Sequence, residues 1–313
     1  MASTNDSIGS RQLGHGPVIR LACLVVLTAS VPAAAQAPPG TDIFVADLGL
    51  FNGVYYLVGA PKNVTNRPDA YDNQPFFTPD SRSILFTASY DDGDDGQTEI
   101  HQYLLNSNRT VRITRTDESE YSPTPVPEDR AFSAIRVEAD SAQRLWRMTM
   151  EGMDPEVLLP DLAPVGYHAW GDAHTLLLYV LGQPATLRLA DLRTGVAEVV
   201  AENVGRSLHR IPGRNTLSFT QRISESEAWI TELNPNTKQT NPMVQTLSGG
   251  DFHAWAPDGT LLMADGGSLF QWNPSMSKGW QLIADLNGMG LQFSRLAVSP
   301  DGSKIALVGQ ASN

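Results

Sequence analysis

The chain has 313 residues, of which 41% are hydrophobic, a formal net charge of −12 at pH 7 and a single cysteine, Cys23. So acidic a surface repels phosphate backbones and anionic lipid, which makes nucleic acid and membrane surfaces poor partners. Beyond Cys23 there is no thiol, so disulfides, thiolate catalysis and thiolate metal sites are excluded from the rest of the chain.

In chain order, Arg11 and Arg20 precede an apolar run at residues 21–31, and Ala33, Ala34 and Ala35 follow it. This is the order of a secretory signal peptide with a small-residue cleavage site. The run is roughly half of the ~20 apolar residues that span a bilayer. Residues 1–35 are therefore expected to be removed on export, leaving no membrane span and a protein in the periplasm or outside the cell, with a retained N-terminal anchor as the alternative reading. Arg20, three residues before Cys23, counts against lipidation. Cleavage removes two arginines and one aspartate, which moves the formal charge to −13.

From residue 36 onward a turn recurs at Pro79, Pro127, Gly171, Pro212, Pro257 and Pro300, in steps of 48, 44, 41, 45 and 43 residues. Pro presets φ, and the glycine of Pro-Asp-Gly accepts φ above zero, so these are tight turns. A period of roughly 40–45 residues is what four short strands and their turns occupy. Each period reads as a segment ending in the turn, then a dense apolar strand such as residues 83–88 or 175–179. An alternating strand follows, such as 99–105 or 228–233, and then an outer strand such as 109–114 or 281–284. After Pro300 the chain supplies only a first and a second strand, whereas residues 42–48 and 55–65 read as a third and a fourth. Together they make one blade, and joining them removes exposed sheet edges. The expected fold is all-β: one six-bladed β-propeller over residues 36–313, its ring closed by N- and C-terminal strands that share a blade.

The recurrent turns, the Pro-Asp-Gly tokens at residues 257–259 and 300–302, and third strands of an aliphatic, an aromatic and then Asp-Leu resemble the WD-repeat-like propellers of the TolB family of exported bacterial proteins. The resemblance covers residues 40–313 and implies the propeller fold. TolB carries an additional N-terminal domain for which this sequence leaves no room, so its partner-binding role is not carried over. Related propellers occur in polysaccharide lyases and as gating domains of peptidases, so the fold leaves the activity open.

In a propeller the innermost strand of each blade lines a central channel, so residues that open each repeat converge on one mouth. Allowing one fewer residue before the turn in blades three and four, His168, His209 and His253 fall at one repeat position, where the other blades carry Pro75, Pro123 and Leu296. Three imidazoles on one funnel are a ligand set for a divalent metal ion, with positions left for water or substrate. TolB-like lyases hold a metal on such histidines. A repeat also duplicates residues that merely cap strand ends, which is the competing reading. Asp72, Glu120 and Asp251 open their blades nearby as candidate bases or ligands, and Tyr167 and Arg295 add to a polar mouth. Trp170 and Trp255, two residues after His168 and His253, are expected on the same side lower in the funnel. The acidic run at residues 91–96 lacks the spacing and distal Glu of an EF-hand loop and reads as a hairpin tip. No Gly-x-Ser-x-Gly elbow or phosphate loop is present. The leading expectation is a module, monomeric or a subunit of a complex, that binds a peptide, a glycan or a partner protein at the funnel. The alternative is a metal-dependent polysaccharide lyase or hydrolase built on the three histidines.

Overall fold

A computed structural model describes residues 40–67, 69–89, 97–276 and 278–311. The expected signal peptide and the acidic run at 91–96 lie outside these residues. Among the described residues no helix is long and apolar enough to cross a membrane.

The described chain forms six four-stranded antiparallel sheets, the blades of a propeller. Five follow the chain directly. In blade three, for example, Val165–Trp170, Thr175–Val180, Thr186–Asp191 and Val196–Glu202 pair in that order. The second strands carry the core because neighbouring blades cover both of their faces: Leu176, Leu177 and Leu178 are all fully buried.

The sixth blade is the shared one. Its strand order is Val54–Asn63, Asp42–Phe51, Lys304–Ala311 and Leu291–Val298. Phe44 stands opposite Leu307 and Asp47 opposite Lys304, whose ammonium pairs with the Asp47 carboxylate. The two-residue period of a strand then sends alternate residues into two cores. Ile305 and Leu307 pack with Phe44, Phe293 and Leu296 on one side, and Ala306 packs with Ile43 and with Phe77 and Ile84 of the neighbouring blade one on the other. Opposite Phe293 lies Gly309, where a Cβ would come within 2.7 Å of the Phe44 ring. The innermost strand of this blade starts at Leu291, five residues earlier than the turn pattern alone indicates. It is launched from Gly290, which takes the left-handed conformation (φ 64°) at the end of a short 3-10 turn.

Candidate functional site

Each first strand ends in a turn closed by one backbone hydrogen bond. The amides of Thr78, Val126, Gly171, Ile211, Ala256 and Ser299 donate to the carbonyls of Ser83, Ala131, Thr175, Thr216, Thr260 and Lys304. Counting back from these six residues fixes the equivalences. Three residues back lie Pro75, Pro123, His168, Leu208, His253 and Leu296. Two residues back lie Phe76, Thr124, Ala169, His209, Ala254 and Ala297.

His168 and His253 are therefore equivalent, and His209 is not. It sits one residue further along its strand, opposite Ser218, and Leu208 holds the histidine position. The turn of blade four spans five residues from Ile211 to Thr216, against four in blades three and five, so no residue is missing ahead of Pro212. A one-residue slip moves a side chain to the opposite face of a strand. His168 and His253 are buried, while His209 is half-buried and lines the channel.

The two equivalent histidines form the same inter-blade contact. His168 Nε2 lies 2.6 Å from Ser133 Oγ of the preceding blade, and Trp170 Nε1 donates to that hydroxyl at 2.9 Å. Ser133 in turn donates to the Thr124 carbonyl at 3.2 Å. A hydroxyl accepts two hydrogen bonds and donates one, so an Nε2–H tautomer satisfies this group and leaves only His168 Nδ1 without a partner. For His253 of blade five the hydroxyl is Ser218 Oγ of blade four, which lies 3.1 Å from His253 Nε2 and accepts from Trp255 Nε1 at 2.8 Å. His209 Nε2 lies 3.0 Å from Ser207 Oγ, and its ring meets that of His253 edge-on with centroids 4.9 Å apart. Burial keeps all three neutral: the pKa of His168 falls to about 3, that of His209 to about 4, and that of His253 well below its ordinary value.

Among the described residues no group of three or more His, Asp, Glu or Cys side chains is placed to hold a metal ion. The three imidazoles are bonded to separate serines, Ser133, Ser207 and Ser218. The serine contact has a measurable consequence. Replacing Ser133 with Ala strands two buried N–H donors, each costing about 1–3 kcal/mol. The variant should unfold in urea about 2–4 kcal/mol less stable than wild type, and Ser133→Thr should recover part of the loss. A loss under about 0.5 kcal/mol would remove the contact's structural role.

The three candidate carboxylates sit behind the channel wall. Asp72 is fully buried and paired with Arg67, and its pKa is raised, chiefly by burial. Asp251 pairs with Arg222 and accepts from Arg206 Nε at 3.3 Å. Glu120 accepts from Thr116 Oγ1 at 2.6 Å and Arg136 Nε at 3.0 Å. Its other oxygen, like Glu99 Oε2, is buried without a donor. Burial first, and the nearby Glu99 carboxylate as well, push Glu120 up to about 7.

The channel itself has two tiers drawn from all six blades. The mouth is lined by Gln74, Ser122, Tyr167, Ser207, Phe252 and Arg295, with Arg206 beside them. Below them, Phe76, Thr124, Ala169, His209, Ala254 and Ala297 line a more apolar chamber, with Trp170 and Trp255 in its wall. Arg295 crowns the mouth. Its Nη2 donates to Tyr167 Oη at 2.9 Å, and its guanidinium lies 4.0 Å from the Phe252 ring centroid and 4.9 Å from that of Tyr167. Tyr71 adjoins this group and is pushed up to about 12, chiefly by burial, so it remains a phenol. Of the residues singled out in the sequence, Tyr167, His209 and Arg295 reach the channel, and Trp170 and Trp255 stand in its wall. Arg206, Phe252 and Phe76 were not anticipated.

A putative TolB from Agrobacterium tumefaciens superposes with a TM-score of 0.63 at 12% identity, covering 86% of this chain and 98% of that one. TolB from Acinetobacter baumannii gives 0.54 at 13%, covering 86% of this chain and 63% of that one. The fold is that of the TolB propellers. A chain from a structure of a nidogen/laminin complex superposes with a TM-score of 0.57 at 15% identity, covering 78% of this chain and 93% of that one. Identities this low speak for the fold alone. No protein-family model matches the sequence, and neither does any curated protein.

Proposed function

We propose that this TolB-like propeller is an exported binding module that takes a segment of a partner protein at the channel mouth. The observation that carries the reading is the composition of that mouth: Tyr167, Phe252, Arg206 and Arg295 from separate blades face one opening. Aromatic residues and arginine supply most of the binding energy at protein interfaces, because they combine large contact area with directed hydrogen bonds. Phe76, 38% exposed below the mouth, continues the apolar surface inward. The N-terminal leader pattern supports export to the periplasm or the cell exterior, and a neighbouring fold solved in a protein complex supports a partner-binding use.

The test is a selection of displayed random peptides against the purified mature chain. Peptides so obtained should lose at least tenfold in affinity for Phe252→Ala and Tyr167→Ala. They should keep it for Arg147→Ala, whose side chain lies away from the channel beside Asp129. Selected peptides that bind the mouth variants as well as wild type would overturn the proposal.

A further inference from the structure

We propose that the mouth is a carboxylate receptor centred on Arg295, so that the bound partner segment places an acidic group on the channel axis. This rests on the binding reading above and adds the chemistry of what is bound.

Three observations converge on it. First, Arg295 has no carboxylate partner among the described residues, whereas the arginines around it do: Arg206 and Arg222 share Asp251, and Arg67 holds Asp72. In a chain of net charge −12 an uncompensated guanidinium on the channel axis is a local inversion of the protein's charge. Arg206 and Arg222 outweigh the single Asp251 between them and deepen that inversion.

Second, the guanidinium is held in place before any ligand arrives. The Phe252 ring supports one side at 4.0 Å, Tyr167 lies at 4.9 Å, and the Tyr167 hydroxyl accepts one N–H. Contact with the ring faces leaves the donors that Tyr167 does not take available, and a pair of them matches the two oxygens of a carboxylate. An ammonium would lack this planar match. Fixing the fork in advance also lowers the ordering cost that binding would otherwise incur.

Third, the chamber below is shaped for what such a carboxylate would be attached to. Ala169, Ala254 and Ala297 leave room where the other blades place Phe76, Thr124 and His209, and Phe76 presents an exposed ring. A carboxylate carried on an apolar stem suits a charged rim above an apolar chamber.

The experiment is a calorimetric titration of the mature chain at constant ionic strength with phenylacetate and with its uncharged isostere phenylacetamide. Phenylacetate should bind at least tenfold more tightly than the amide. Arg295→Gln should erase that preference, and Arg295→Lys should keep only part of it because the charge remains and the fork is lost. Tyr167→Phe, which removes the hydroxyl that holds the guanidinium in place without removing charge, should weaken the preference several-fold and guards against a folding defect in the arginine variants. Equal affinity for acid and amide, no binding of either, or an unchanged preference in Arg295→Gln would each overturn the receptor. The two readings fail separately. Displayed peptides that need Phe252 but carry no acidic residue and ignore Arg295→Gln leave the partner-binding reading standing and remove the carboxylate. Peptides indifferent to Phe252→Ala remove both.

Discussion

Deletion of residues 296–313 is expected to abolish the cooperative unfolding transition of the whole propeller. The deletion removes Lys304–Ala311 entirely and leaves Asp42–Phe51 paired only with Val54–Asn63. Leu296, Ile305, Leu307 and Val308 are buried to within a few per cent. At about 2 kcal/mol for each large apolar side chain, their loss forfeits about 8 kcal/mol. A domain has only about 5–15 kcal/mol in total. The damage also spreads, because the missing strand fed two cores: Leu307 supported Phe44 and Phe293, and Ala306 supported Ile43 together with Phe77 of blade one. Circular dichroism during a urea titration should show a broad, low-amplitude change in place of a sigmoid. A truncated protein melting within a few degrees of the intact one would refute the closure. Arg295 directly precedes the deleted segment, so closure and the mouth stand or fall together.

The propeller was legible because its signals are repeated. Six turns at near-constant steps give the period, and the unequal supply of strands at the two ends gives the shared blade. The site was legible only in part, since a motif read along the chain does not report which face a side chain takes. His209 looked equivalent to His253 because each precedes a Pro-containing turn. Counting from Ile211, the residue that closes the turn, would have placed it one step away. Of the mouth only Tyr167 and Arg295 were read from the sequence, for a different reason. Its six positions hold Gln74, Ser122, Tyr167, Ser207, Phe252 and Arg295, which share geometry but no one residue type, so no consensus marks them. The Glu99 and Glu120 carboxyls belong to different blades, and their meeting is a product of packing alone.

Acidification from pH 7 to pH 5 is expected to destabilise the protein, with the buried histidines driving the loss and Glu120 opposing it. His168 and His253 are held neutral by burial, with folded pKa values far below the ordinary 6.5. Their contribution is present above pH 6.5 and is lost as pH falls, because the unfolded chain takes up protons that the folded chain refuses. At pH 5 each forfeits about 2 kcal/mol, and His209 acts in the same direction. Glu120 has the opposite sign. Raised from 4.5 to about 7, it contributes stability below pH 4.5 that is lost as pH rises through 7, so acidification returns about 2 kcal/mol. A proton on Glu120 also supplies a donor where its own Oε2 and that of Glu99 have none. Carboxylates held below their ordinary value, such as Asp172, act only below about pH 4 and leave this window untouched. Wild type should therefore lose about 2–4 kcal/mol between pH 7 and pH 5, read from urea midpoints at each pH. Glu120→Gln should lose about 2 kcal/mol more over the same interval, because the opposing group is gone. His253→Gln, though less stable throughout, should lose about 2 kcal/mol less. A wild type whose stability is flat or rises towards pH 5 would mean that the imidazoles protonate freely in the fold, and the inter-blade contacts assigned to His168 and His253 would then be wrong.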